Sequence, residues 1–313
     1  MKVAAKLKIA LDETRMLILG AQVLLGFQMR SVFQDAFEQL PVHARIWDGV
    51  ALLIMVAVLG LLIAPAAHHR VVEQGNATRY IMKVISWAMS GALLLFSVAL
   101  GVNIFIAVER IAGLAAAVVA GIVAAALALC FWFGIEWAVL LRNGGKEVDM
   151  KDQQISLDKK IDQMLTEGRV ILPGAQALLG FQLAVILTEA FDKLPGASKA
   201  THALALGLVA LSTILLMTPA AYHRIVYGGE ESDEFLRLGS GFVMAATVAL
   251  ALGLTADVYV VIGKIAGSQT TGMVAAAVSL AALLGLWHVS PLYVRAQREG
   301  ASARSAAGLS VRR

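Results

Sequence analysis

One segment of this chain is written twice, and that duplication restricts the folds open to it. Gly20-Ala21-Gln22 through Gly26-Phe27-Gln28 returns as Gly174-Ala175-Gln176 through Gly180-Phe181-Gln182, 154 residues later. The same shift carries Leu40-Pro41 onto Leu194-Pro195, Pro65-Ala66-Ala67 onto Pro219-Ala220-Ala221, His69-Arg70 onto His223-Arg224, and Ile111-Ala112-Gly113 onto Ile265-Ala266-Gly267. Positions alike in both halves can therefore be weighed against each other within one chain.

Each copy is built from apolar blocks. With 59% hydrophobic and 15% charged residues, the chain is too apolar for a soluble globular domain. Residues 50–67, 86–106, 111–133, 204–221, 242–253 and 273–286 are nearly free of charge. Blocks of about 20 residues cross a hydrocarbon core about 30 Å thick. The glutamine-bearing stretches 16–37 and 170–191 complete a set of eight. The expected fold is all-α: a polytopic membrane protein of eight transmembrane helices, arranged as two parallel four-helix repeats. The expected domains are a first repeat over 1–142, a charged linker over 143–165, a second repeat over 166–296 and a basic disordered tail over 297–313.

Lysine and arginine collect on the cytoplasmic side of membrane proteins. They are dense before the first helix, around Arg70, Arg79 and Lys83, through 142–169, and after Arg295. Both termini are expected in the cytoplasm, with the chain in the cell's inner membrane. An even number of helices per repeat turns both copies the same way and predicts a pseudo-twofold axis along the membrane normal. The lysine-rich N-terminus is read as part of a retained helix, since Gln22, Gln28 and Arg30 interrupt the apolar run that a signal peptide would need.

The residues with chemical potential fall into three sets. Arg15, Gln22 and Gln28 on the first helix match Arg169, Gln176 and Gln182 on the fifth, and nine of fourteen positions across these windows are identical. Amides do not face hydrocarbon without cost. Gln22, Gln28, Gln176 and Gln182 are therefore expected either to line a polar path or to hold the bundle together through interhelical hydrogen bonds. A second set, Glu13, Arg15, His69 and Arg70 with Glu167, Arg169, His223 and Arg224, would meet at the cytoplasmic ends as a gate, or else anchor the helix ends among lipid headgroups. The third set is unshared: Arg30 matches Ala184, Glu136 matches Ser290, Asp48 matches His202, and Asp257 matches Asn103. Intramembrane charges are functional candidates by default, which ranks Arg30 and Glu136 for mutation.

Other features carry less. Gly113, Ala117, Gly121 and Ala125, with Gly267, Thr271, Ala275 and Ser279, form small-residue ridges on the fourth and eighth helices that suit close packing or a homo-oligomer. Cys130 is the only cysteine, which excludes an intrachain disulfide. Phosphate-binding loops, metalloprotease motifs and nucleophile elbows are absent, and no basic patch is interleaved with aromatics. The expectation is therefore no enzyme activity, cofactor, metal or nucleic-acid partner, with membrane lipids as the surroundings.

Through Glu13-Thr14-Arg15, the Gly20–Gln28 run, Leu40-Pro41 and Pro65 to Arg70, the chain resembles a bacterial four-helix membrane family of unknown function (domain of unknown function 6328). It looks like a tandem duplicate of that unit. Some relatives carry the label sodium:proton antiporter, yet this chain lacks the shared buried aspartate pair that such an ion site would need. The second copy departs at Gly168 for Thr14, Pro173 for Leu19 and Tyr222 for His68. The leading functional expectation is an ion or small-solute transporter or channel with a path along the first and fifth helices. The alternative is a non-transporting structural or stress-related scaffold.

Overall fold

The computed structural model describes residues 3–134, 156–225 and 231–310. Glu136 and linker residues 143–155 lie outside the described residues. The chain is all-α. Its first half runs α1 (Val3–Ser31), the short α2 (Asp35–Glu38), α3 (Val42–Val71), α4 (Arg79–Ala112), α5 (Leu114–Leu129) and a π-helical turn (Cys130–Gly134). The second half runs α6 (Leu157–Val185), α7 (Glu189–Asp192), α8 (Gly196–Ile225), α9 (Asp233–Ala266), α10 (Gln269–Leu284), a π turn (Gly285–Val289) and α11 (Ser290–Ser310). Where the sequence suggests an unstructured tail, α11 continues to Ser310, and Arg298 donates to the buried Glu73 at 2.9 Å.

The duplication extends to helix boundaries. From α1 to α4, the stop of α1, both ends of α2, the start of α3 and both ends of α4 recur after 154 residues. The reasons are local. Pro41 and Pro195 sit immediately before α3 and α8, where a missing backbone N–H is tolerated because the first turn has no intrahelical acceptor. The side chains of Thr78 and Ser232 cap α4 and α9 by accepting from the amides of Ile81 and Phe235. After α4 and α9 the registers separate. Gly113, at φ +82°, leads straight into α5, whereas the left-handed Gly267 is followed by Ser268, whose hydroxyl accepts from Thr271 N–H and starts α10 one residue later. The final helices and their π turns therefore correspond at a shift of 155, which pairs Trp132 with Trp287.

Seven helical stretches among the described residues are long and apolar enough to cross a membrane: α3, α4, α5 with its π turn, α6, α8, α9, and the run Gln269–Ala301. Glu13, Arg15, Gln22, Gln28 and Arg30 lie along α1, which falls outside this set.

The repeats meet through contacts made once. A twofold axis would make each contact twice. α1 and α6 lie side by side: the rings of the equivalent Phe27 and Phe181 are 4.7 Å apart, and Gln22 packs on Gly174. Yet Gly20, the counterpart of Gly174, has nothing within 4 Å of its Cβ position, and Gln176, the counterpart of Gln22, is exposed. The outer helices repeat this inequality. α3 lies against α9, α10 and α11 and is 67% buried over its apolar span, against 28% for its counterpart α8. α9 is 72% buried and its counterpart α4 only 22%. The expected pseudo-twofold is thus replaced by a head-to-tail joint. The Trp287 indole seals it by donating to the Gly60 carbonyl at 2.9 Å.

Within the first repeat, the expected small-residue ridge serves the fold. α4 and α5 cross at Gly101 and Gly121, where a Cβ on either would lie 2.8 Å from the other's carbonyl oxygen. Gly121→Val should therefore cost about 1–3 kcal/mol, read as a lowered midpoint of thermal unfolding in detergent. Gly207→Ala on α8, where nothing lies within 4 Å, should leave that midpoint in place.

Candidate functional site

Two buried polar clusters, one per repeat, occupy the end of the bundle that carries α2 and α7. In each, the first helix supplies a glutamine near its C-terminus, the next long helix a residue two turns from its start, and the third a residue near its end. In the first repeat, Gln28 Nε2 donates to Asn103 Oδ1 at 3.2 Å, and Asn103 Nδ2 donates to the Ala99 carbonyl at 2.7 Å. Asp48 is buried beside them, and its Oδ2 has no partner among the described residues. In the second repeat, Gln182 Nε2 donates to Asp257 Oδ2 at 2.5 Å, His202 Nδ1 lies 3.2 Å from Asp257 Oδ1, and His202 Nε2 lies 3.1 Å from the Gln182 carbonyl oxygen. Gln182, His202 and Asp257 are all buried.

Gln28, Asp48 and Asn103 correspond to Gln182, His202 and Asp257 at the 154-residue shift. Each repeat thus holds one carboxylate in its cluster, on the second long helix of the first repeat and on the third of the second. Comparing single positions passes over this pattern, because neither position keeps its residue type. A pairwise comparison finds it: where Asp48 becomes His202, Asn103 becomes Asp257.

The clusters differ in access. Asp48, Asn103, Gln28, Ser31 and Gln34 line a cavity of about 330 Å³ that reaches the α2 turn, with room for several waters. The second cluster borders a crevice of about 10 Å³, at the lower limit for a single water. Arg30, exposed on α1, lines that crevice together with Gln182, His202 and Asp257.

At the opposite end, the structure gathers part of the expected gate. Arg70 Nη2 donates to Glu167 Oε1 at 2.8 Å across the repeats, both side chains being largely buried. Arg70 Nε and Nη1 and the buried His69 Nε2 have no partners among the described residues. Arg15, paired with Asp12, shares a pocket of about 30 Å³ with Thr14, His69 and Glu167. His69, Arg70 and Glu167 also line a cavity of about 570 Å³ between the repeats, with Lys160, Arg237 and Arg295. Glu13 and Arg169 are exposed and stand apart. The His223 ring lies on Phe235, centroids 4.7 Å apart, and Arg224 follows it on α8. His68 joins the repeats: the Tyr80 hydroxyl lies 2.9 Å from its Nδ1 and Ser290 Oγ 3.3 Å from its Nε2.

Gln22 lies between the two ends. It is fully buried, both amide atoms lack a partner among the described residues, and its side chain fills the space that a Cβ on Gly174 would occupy. The four expected glutamines therefore take three roles. Gln28 and Gln182 anchor the clusters, Gln22 plugs the helix joint, and Gln176 lies on the outer surface.

Neither a curated protein nor a solved structure matches the chain. A single family description fits it twice in tandem, over residues 2–136 and 151–291, so the chain belongs to the Family of unknown function (DUF6328).

Proposed function

We propose that the chain is a multi-pass inner-membrane protein that passes a small cation or a proton, with Asp48 and Asp257 as its binding carboxylates. The observation that carries this reading is Asp48: a buried carboxylate on an apolar helix, at the floor of a cavity, with one oxygen lacking a donor. Burying such a group without a partner costs several kcal/mol, and a proton or small cation would supply what it lacks. The cluster around Asp257 is the second station, held shut by His202 and Gln182. Gln22 is the plug between the two vestibules, about 9 Å along α1 from Gln28, and His69, Arg70 and Glu167 form the opposite mouth. In this reading α1 crosses the membrane as the eighth span, packed on α3, α4 and α6, so that Gln22 and Gln28 need not meet lipid. Contacts that keep step along α1 and α6, Gln22 with Gly174 and then Phe27 with Phe181, support two parallel repeats.

A second reading, a non-transporting scaffold, is favoured by one observation: Gln22 is packed against Gly174 rather than facing a cavity. Proteoliposome flux separates the two. Wild-type protein should carry protons or alkali cations above the empty-vesicle rate, and Asp48→Asn should lower that flux at least tenfold while the thermal midpoint holds. A wild-type rate equal to that of empty vesicles would leave the scaffold. Gln22→Ala, which opens the plug, should raise the leak rather than abolish it.

Topology gives an independent check. Green fluorescent protein fused to the C-terminus should fluoresce and alkaline phosphatase fused there should stay inactive, because both termini are read as cytoplasmic. The reverse result would invert the vestibules.

A further inference from the structure

The joint between the repeats uses one face of each repeat and leaves the matching pair of faces open. Four of its contacts lie along α1, α6 and the helix ends beside them. Gln22 fits against Gly174, and the Phe181 ring covers Gly26, where added Cβ atoms would lie 1.5 Å from Gln22 Oε1 and 2.0 Å from Phe181 Cδ2. Arg70 pairs with Glu167, and Glu38 with Lys264 at 3.3 Å.

Exchanging the repeats at a shift of 154 gives three further pairs among residues whose side chains are described, and each is chemically competent. Gln176 meets Gly20, Phe27 meets Gly180, and Asp192 meets Arg110. None of these three pairs is among the contacts made by the described residues. Gly20 and Gly180 have nothing within 4 Å, Phe27 is 52% exposed, and Gln176, Asp192 and Arg110 are exposed. A mid-helix glycine costs about 1 kcal/mol relative to alanine. Gly26 and Gly174 justify that cost by letting α1 and α6 approach, whereas inside one chain Gly20 and Gly180 have no neighbour to admit.

We propose that a second copy of this chain docks there, its α1 face of Gly20 and Phe27 against the first copy's α6 face of Gln176 and Gly180, repeating the internal joint between molecules. A head-to-tail contact either closes into a ring or propagates. With two repeats per chain, the smallest closed ring is a dimer of four repeats, in which both copies use both open faces. The joint between molecules is the smaller of the two. Ile214 stands at the counterpart of Gly60, and its side chain takes the space that Gly60 leaves for Trp287.

The Asp192–Arg110 pair and the glycine notches both commit the site to this chain rather than to lipid. Lipid tails need no notch, and they offer no cation to Asp192.

Measured in nanodiscs by native mass spectrometry, the full-length protein should appear at twice 33.1 kDa. Gly20→Leu and Gly180→Leu fill open space in a single chain, so each should keep the thermal midpoint of the monomer fold yet weaken dimerisation at least tenfold. Gly207→Leu, on an open position outside the proposed faces, should leave the dimer intact. Cross-linking adds a positional readout. With Cys130→Ser removing the only native thiol, co-expressed and differently tagged Gly20→Cys and Gln176→Cys copies should oxidise to a mixed disulfide-linked pair. A wild-type protein that stays at 33.1 kDa, dimerisation unmoved by Gly20→Leu, or a disulfide formed only within a doubly substituted single chain would each overturn the proposal.

Discussion

Hydrocarbon offers no hydrogen-bond partner, so each polar side chain carried into the bundle demands one from the protein, a demand met for Gln28 and Gln182 and left unmet for Gln22. The rest of the architecture follows from that demand. α1 is rich in polar residues, and it lies against α3, α4 and α6. α6, its near copy, carries the same glutamines at the margin of what a membrane span permits. Gln28 and Gln182 meet the demand by bonding to the third long helix of their own repeat. These bonds tie the first helix to its repeat at one end, while Arg70 and Glu167 tie the repeats to each other at the opposite end.

The spans were legible because long uncharged runs and duplicated boundary residues fix where helices begin and end. The site was less legible. Asp48, Asn103, His202 and Asp257 are visible in the sequence, but a search for identical residues at equivalent positions sets them aside. What the duplication preserves is a relation between two helices, not a residue at one position. Burial was not legible at all for the glutamines of the first and sixth helices. Gln22 and Gln176 sit in nearly identical local sequence, yet one is fully buried and the other exposed. That difference comes from how one repeat leans on the other, which periodicity within a repeat does not encode. The register of the last helices was misleading for a related reason. The extra capping residue Ser268 moves equivalence from 154 to 155, so positions matched across α5 and α10 by the earlier shift are about 100° apart around the helix.

The two halves also divide structural duties unevenly. α3 and α9 form the interior, and α4 and α8 the flanks, although each pair mixes the two repeats. Joining two copies in one chain allowed the inner copy of each helix to adapt on its own. Gly60 admits Trp287 where the outer counterpart is Ile214.

The exchange of Asp48 and Asn103 for His202 and Asp257 has an electrical consequence. In one half the carboxylate has no basic partner within its cluster, and in the other an imidazole stands beside it. Seen in the plane of the membrane, the protein is polarised from one half to the other, although its helices follow the same plan twice. Two architecturally matched halves therefore set up unlike local fields, a lateral asymmetry that two identical copies of one repeat, related by symmetry, could not possess.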